Sequence, residues 1–335
     1  MEQPLDMMDR DDRIAPYLKH LLDALLFDSF SEEYLNRESL EFMVGVPIPI
    51  QKEDLSAFLE GGIPLIRLAD NMALVTGVDP AFPSAGAYMR FLARFFDENL
   101  PNVLADLGAQ HLHSADYAKS AAYFRCALVL DSSHQTALFG YACACREWYL
   151  SLEAEDSAEQ IQALKDEALE FYELCNALYP ELAAPYYFLG YAYLNLGMYT
   201  KAKLVWEEFL KLESEEEERQ EIEERLEQLE DPVRIEEGIN FLLAGKLNEG
   251  LAILEPYAET ETANWWPLHY YLASAYRALG HDTEAIEGFH KVLELAPSHI
   301  DSTMQLAELY EQKGDDEKAE KYFRKVHILH QNRED

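Results

Sequence analysis

The sequence predicts an all-α fold, in which helix-turn-helix units stack as a solenoid behind an N-terminal helical module without repeats. Leu, Ala, Glu and Tyr recur at helical spacing along the chain, whereas strand signals are scarce. One pattern of residues also occurs twice between Trp265 and His330, and each matched pair is 34 residues apart. A fixed period of this length is typical of helical solenoids.

Both copies of the pattern contain a large and a small residue side by side, then a Tyr, a Gly, and small and aromatic residues. The first copy has Leu272, Ala273, Tyr276, Gly280, Ala285, Phe289, Val292 and Pro297, and the second has Leu306, Ala307, Tyr310, Gly314, Ala319, Phe323 and Val326. These positions resemble the tetratricopeptide repeat family. The resemblance implies a right-handed solenoid, in which small residues lie where two helices cross and the Gly ends the first helix.

Residues 1–100 do not follow the repeat and predict a separate helical module that covers the first repeat. Ser31 is the expected N-cap of one helix and Gly45 its expected end. Residues 46–50 are expected to be extended, because Pro47 and Pro49 interrupt a helix. Apolar spacing predicts five helices, at 13–27, 31–44, 54–60, 63–76 and 84–99, with a break at Gly61-Gly62 and an aromatic face that includes Phe96.

The repeat register begins at Pro101 and predicts an array of about six units over residues 101–335. The second unit is longer than the pattern requires, with the excess near residues 148–161, so both of its helices are expected to project beyond their neighbours. Units two and four match the pattern least well. The six units begin near residues 101, 135, 183, 231, 266 and 300.

Residues 213–231 form an acidic insertion between units three and four. Ile222, Leu226 and Leu229 give it a narrow apolar stripe at helical spacing. One interpretation is an additional helix with a solvated acidic face. The other is a docking surface for a basic partner.

The chain has 27 Lys and Arg against 63 Asp and Glu, which gives a formal net charge of −36. This balance argues against binding to nucleic acid or to an anionic membrane surface, since both attract positive protein charge. It favours high solubility and a basic partner, or it is only a solvated acidic surface. We find no apolar run of about 18 residues for a membrane span and no signal peptide at the acidic N-terminus.

The four cysteines lie in helical patterns and are expected to be buried thiols in a reducing cytoplasm. Cys143 and Cys145 are two residues apart and lie on different sides of a helix, which disfavours a metal site. No phosphate loop or hydrolase motif is present, so we expect no enzyme activity, cofactor or metal. The cysteines are Cys126, Cys143, Cys145 and Cys175.

The family resemblance implies that the first helix of each unit lines a concave groove. Some family members grip a C-terminal carboxylate with Lys and Asn at two groove positions, and neither residue occupies those positions here. The predicted groove is aromatic in its middle, which suits a peptide. The predicted groove residues are Phe139, Arg146, Tyr187, Tyr191, Asn195, Ile239, Tyr270 and Arg277.

These observations predict a cytoplasmic, non-catalytic adaptor that holds a peptide or helix of a protein partner. The groove is either free or filled by the N-terminal module or the acidic insertion. Alternatives are a self-assembling subunit and, less favoured, an enzyme with a site in residues 1–100. Glu320 and His327 are polar where earlier repeats have mostly apolar residues, so we expect the last repeat to close the array.

Overall fold

The computed structural model of the chain describes residues 6–7, 10–60, 62–95 and 99–334. Gly61 and Phe96 lie outside these ranges, as do residues 1–5 and 8–9. The predicted all-α class is confirmed, because helices dominate the described residues. The chain divides into two compact units, which we describe separately. Unit one comprises Met1–Leu196 and Val205–Glu216, and unit two comprises Gly197–Leu204 and Glu217–Asp335.

Unit one begins with short helices and a two-stranded antiparallel sheet. Strand β1 pairs with strand β2 so that Leu25 lies opposite Gln51, and Asp28 lies opposite Ile48. Three further segments, Lys19–Leu22, Glu41–Met43 and Lys52–Asp54, are 3₁₀ helices. The other elements are α1 (Ala15–Leu18), β1 (Leu25–Asp28), α2 (Glu32–Glu38), β2 (Ile48–Gln51), α3 (Leu55–Leu59), α4 (Leu65–Val78) and α5 (Ala85–Phe95).

Two helices predicted in this region are shorter in the structure. The helix expected over residues 13–27 ends early, because Leu25 and the residues after it pair with β2. The helix expected over residues 31–44 starts at the predicted N-cap, where the Ser31 hydroxyl accepts a hydrogen bond from the backbone N–H of Tyr34. It ends at Ser39 rather than at Gly45, because Ser39 adopts a left-handed conformation with φ 54°.

The helices of the first predicted repeats follow, and short turns join them as antiparallel pairs. They lie in unit one, except that the first part of the last of them belongs to unit two. Helix α4 crosses α7 so closely that a Cβ on Gly77 would lie 1.9 Å from the carbonyl oxygen of Ala122. Helix α4 of the N-terminal region therefore packs directly on the first predicted repeat. The repeat helices are α6 (Leu100–His113), α7 (Tyr117–Leu130), α8 (Gln135–Leu150), α9 (Ala154–Leu178), α10 (Ala183–Asn195) and α11 (Tyr199–Phe209).

Unit two contains the remaining repeats, and its acidic insertion is helical. Ile222 and Leu229 of the insertion are buried, as their apolar stripe predicts. Gly245, Gly280 and Gly314 have φ between 72° and 79°, and each lies in the turn between the two helices of a repeat. The helices are α12 (Glu216–Gln228), α13 (Glu230–Leu243), α14 (Leu247–Leu254), α15 (Trp266–Ala278), α16 (Asp282–Leu295), α17 (Ile300–Gln312) and α18 (Asp316–Glu334), with 3₁₀ turns at Glu255–Glu259 and Glu261–Asn264.

Among the described helices, none has both the length and the apolar character that a membrane-spanning helix requires.

Candidate functional site

Five of the predicted groove residues lie in unit one, around a cavity between helices α8, α9 and α10. Helix α8 has 16 residues and α9 has 25, whereas α10 has 13. The additional turns fall where the sequence places the excess of the second repeat. These turns form the walls of the cavity beside the C-terminal end of α10. The cavity has a volume of about 290 Å³, and we call it the α8–α10 cavity.

A cluster of aromatic rings forms one wall of the α8–α10 cavity. The Phe188 ring stacks on Tyr172, with ring centroids 5.7 Å apart and an interplanar angle of 12°. The Phe139 ring lies 5.9 Å from Phe188 by its centroid. Tyr187 and Tyr191 continue the cluster along α10, with their ring centroids 5.3 Å apart. Phe188, Tyr172 and Tyr191 line the cavity itself.

Gly190 and Trp206 fix the position of α10. A Cβ on Gly190 would lie 2.0 Å from Nε1 of Trp206, so only glycine allows the indole to lie this close to the helix. The same nitrogen donates a 3.1 Å hydrogen bond to the carbonyl oxygen of Tyr187. The Trp206 and Tyr191 ring centroids are 5.0 Å apart. The indole therefore holds the backbone and one ring of the aromatic wall.

Polar side chains lie at the edge of the cavity. The guanidinium group of Arg146 lies 5.0 Å from the Phe188 ring centroid and pairs with Glu147. The ammonium group of Lys165 lies 5.6 Å from the Tyr149 ring centroid. Asn195 is exposed at the end of α10. Asp166 and Gln162 also line the cavity, which therefore combines ring faces with two cations, a carboxylate and two amides.

Two phenol groups of the cavity, those of Tyr149 and Tyr172, are protonated near neutral pH. Burial raises the pKa of Tyr172 well above its usual value, and Cys143 reinforces this effect. Burial also raises the pKa of Tyr149, and Arg146 opposes it. The Tyr172 hydroxyl donates to the sulfur of Cys143 over 3.5 Å. Both phenols can therefore act as hydrogen-bond donors.

The other three predicted groove residues lie in unit two and make contacts within that unit. Ile239 is half-buried and packs against the apolar cluster around α13 to α15. The Tyr270 ring centroid lies 5.1 Å from that of His299. The Arg277 guanidinium group binds the Glu308 carboxylate at 2.8 Å. The Tyr270 ring and the Arg277 guanidinium group therefore both have partners within unit two.

The described N-terminal segment contacts α9 at residues other than those that line the cavity. Arg10 binds the Glu170 carboxylate at 2.9 Å, and Arg13 binds it at 2.6 Å. Both arginines also pair with Glu167, whose side chain is 1% exposed. The α9 residues that line the cavity are Gln162, Lys165, Asp166, Ala168, Leu169 and Tyr172.

The four cysteines are free thiols, and three of them are fully buried. Burial raises the pKa of Cys126 and of Cys145, so both thiols are protonated at neutral pH. Cys143 is half-buried, and burial raises its pKa to about 11. Within the described ranges, no group of three or more His, Cys, Asp and Glu side chains is arranged to hold a metal ion.

The N-terminal helices contain a separate cavity of about 320 Å³, in the region where the sequence leaves an enzyme site open. Its titratable side chains include Glu33 and Glu60, beside the hydroxyl groups of Ser29 and Ser31. Phe30 and Phe58 form part of its apolar lining.

Sequence reasoning missed most of the residues that line the α8–α10 cavity, among them Phe188, Tyr172, Lys165 and Tyr149. Phe188 follows the predicted Tyr187, but the family pattern selects other positions of the first helix. Tyr172 and Lys165 lie on a second helix, which the pattern does not assign to the groove. Tyr149 lies in the additional last turn of α8. The excess length of the second repeat is the signal that could have drawn attention to Tyr149 and Lys165.

Comparison with known families matches residues 266–299, and also 183–216 and 300–326, to the tetratricopeptide repeat. The human General transcription factor 3C polypeptide 3 is 37% identical over 82 residues, which cover 24% of this chain and 9% of that protein.

Several solved structures of repeat proteins are also similar to this chain. The TPR domain of P58(IPK) is 19% identical, with a TM-score of 0.38, over 69% of this chain and 60% of that one. MamA from Desulfovibrio magneticus RS-1 is 21% identical, with a TM-score of 0.35, over 58% of this chain and 97% of that one. YrrB, described as a TPR protein with an unusual peptide-binding site, is 19% identical, with a TM-score of 0.30, over 62% of this chain and 91% of that one.

The matched segments agree with the helix pairs of the structure. Residues 266–299 span α15 and α16, and residues 300–326 begin with α17 and extend into α18. Residues 183–216 span α10 and α11. The 34-residue period, the left-handed turn glycines and these matches agree, and residues 183–216 and 266–326 contain tetratricopeptide repeats.

Proposed function

We propose that the α8–α10 cavity binds a segment of a protein partner and that the chain acts as a non-catalytic adaptor. Tetratricopeptide repeats generally mediate protein–protein interactions and are typically non-catalytic. The proposal assigns this role to one place in unit one. The cytoplasmic location expected from the free cysteines stays a prediction.

The aromatic wall of the cavity is the observation that supports the proposal. Phe188 and Tyr172 present a stacked pair of rings, and Arg146 lies over one of them. Aromatic and arginine side chains dominate the energy of protein interfaces, since they provide large contact areas with few rotatable bonds. Arg146 and Asn195 add polar groups that can orient a bound backbone.

The size and charge of the site suggest the chemistry of the bound segment. A cavity of about 290 Å³ accommodates one or two apolar side chains rather than a whole helix. The net charge of −36 attracts positive charge over long range. We therefore propose a segment with an apolar or aromatic anchor and basic residues on its flanks.

The test is selection of binders from a random peptide library displayed on phage, with the full chain as bait. The affinity of a selected peptide is then measured by fluorescence polarisation. Arg146→Ala removes the cation over Phe188, and Asn195→Trp blocks the cavity from its exposed edge. Each change should weaken binding about tenfold or more, which corresponds to about 1.4 kcal/mol.

Arg234→Ala is the matched control, because Arg234 is also ion-paired on a helix surface but lies in unit two. It should leave the affinity unchanged. If peptides bind the parent protein and both cavity variants equally well, the α8–α10 cavity is not the binding site.

A further inference from the structure

The last helix, α18, carries an exposed face with a strip of apolar residues. The face borders a groove of about 730 Å³, and Ile328 on it is 54% exposed. Its α18 residues recur every three or four positions, so they lie on one side of the helix. We call this surface the α18 face, and its residues are Asp316, Ala319, Glu320, Phe323, Arg324, His327 and Ile328, with Glu311 from α17.

The α18 face departs from the polar end that the sequence predicts for the array. Glu320 and His327 are exposed, as expected. However, the half-buried Phe323 and the exposed Ile328 form an apolar strip beside them, and the buried Ala319 lies at the floor of the groove. An apolar strip with a polar border is typical of an interaction surface.

The charge of α18 also differs from that of the chain as a whole. The helix contains five Lys and Arg against four Asp and Glu, whereas the whole chain has 27 against 63. Two copies of a chain with net charge −36 repel each other through most surfaces. Contact through α18 avoids this repulsion because the helix is nearly neutral.

The charged residues of the α18 face are also divided between its two halves. Asp316 and Glu320, with Glu311 of α17, lie toward the start of α18, and Arg324 and His327 lie toward its end. Arg324 also pairs with Glu320 of the same helix at 2.8 Å. A two-fold axis perpendicular to α18 makes the two helices run antiparallel and places the first half of each helix against the second half of the other. The acidic start of each α18 helix would therefore face the basic end of the other.

We propose that the α18 face binds a second copy of this chain, with the two α18 helices antiparallel about a two-fold axis between positions 323 and 324. This axis places Glu320 opposite His327 of the second copy. It also places Ala319 opposite Ile328, and Phe323 opposite Arg324. Apolar residues thus meet apolar residues, and an arginine meets an aromatic ring.

One helix face on each copy gives an interface below the standard size of about 1,600 Å², so the association is weak. We expect a dissociation constant on the order of 10–100 μM.

The experiment is sedimentation equilibrium of the full chain from about 1 to about 300 μM, a range that brackets the expected dissociation constant. The weight-average mass should rise from 38.5 kDa toward twice that value. Ile328→Glu should weaken the dimer at least about tenfold, because it places a charge in the apolar strip. Ile328 is exposed, so the change should not disturb folding.

A pair of charge variants tests the two-fold arrangement. Glu320→Arg and His327→Glu should each weaken self-association at least about tenfold, because the first replaces the acceptor opposite His327 with a cation and the second places two carboxylates opposite each other. An equal mixture of the two variants should restore association, since opposite charges then meet. Glu294→Arg is the matched control on α16 and should behave as the parent protein does.

A parent protein that stays at 38.5 kDa through the whole range overturns the proposal. Failure of the mixture to restore association also overturns it, as does a control that weakens association as much as Glu320→Arg.

Discussion

The ion pair between Asp12 and Arg125 joins the N-terminal segment of unit one to helix α7. Both terminal nitrogens of the guanidinium group donate to the carboxylate, at 2.9 Å for Nη1 and Oδ1. The Arg125 side chain is 1% exposed and that of Asp12 is 24% exposed. Asp12 also accepts a 3.0 Å hydrogen bond from the backbone N–H of Ala15, at the start of α1. Asp12 therefore neutralises a buried charge and anchors the first helix.

Replacement Asp12→Ala leaves the Arg125 guanidinium group buried without this carboxylate. Removal of one partner from a buried ion pair costs about 3–5 kcal/mol, and the partial exposure of Asp12 places the expectation at about 3 kcal/mol. For a domain of this size, about 2–4 °C of melting temperature corresponds to 1 kcal/mol. We therefore expect the melting transition of unit one, followed by circular dichroism, to fall by about 6–12 °C.

Asp54→Ala is the matched control, because Asp54 makes a similar two-point contact with Arg67, whose side chain is 53% exposed. It should lower the melting temperature much less. Addition of Arg125→Met to Asp12→Ala should recover part of the loss, because the unpaired charge is removed. If Asp12→Ala is no more harmful than Asp54→Ala, the reasoning from buried charge is wrong.

The same ion pair predicts the effect of acid. Burial raises the pKa of Asp12, but the hydrogen bond and the charge of Arg125 outweigh burial and hold that pKa below its usual value. The stability from the pair is therefore present above the unfolded pKa of about 3.9 and is lost as the pH falls through the folded pKa. The difference in melting temperature between the parent and Asp12→Ala should shrink over that window.

Three other predictions concern packing, thiol reactivity and salt. Gly190→Leu should lower the free energy of unfolding by about 1–3 kcal/mol or more, because the leucine side chain would overlap the Trp206 indole. A urea melt that shows no loss of stability would contradict this packing. Cys126 and Cys145 should react with a thiol reagent at pH 8 only after the protein unfolds, because burial raises the pKa of both thiols. Rapid reaction of either thiol in the native protein would contradict this burial. Any affinity that depends on residues 213–231 should fall as salt rises from about 0.05 to 0.5 M, and an affinity independent of salt would leave the segment a structural role.

The sequence predicts the repeats well because their signals are local. Gly280 and Gly314 adopt the left-handed turns that their position implies, and Ala273 is fully buried. The N-terminal segment is predicted less well, because its fold depends on distant contacts. Leu25 continues the helical spacing of the preceding leucines, yet it lies in β1 because that segment pairs with β2.

Three of the eight predicted groove residues, Arg146, Tyr191 and Asn195, line the α8–α10 cavity. Their role in binding stays a prediction. Tyr172 was missed because the family pattern concerns the first helix of each repeat. Its position depends on how the elongated α9 packs against α10, and no spacing along one helix contains that information.

The central claim, that the α8–α10 cavity is the binding site, is tested most directly by hydrogen exchange. Amide exchange is measured by mass spectrometry on the full chain, with and without a saturating library-selected peptide. We expect slower exchange on peptide binding in residues 146–150, 162–172 and 186–196, and no change in residues 266–312. Slower exchange confined to residues 266–312, with none in the three cavity segments, would contradict the account.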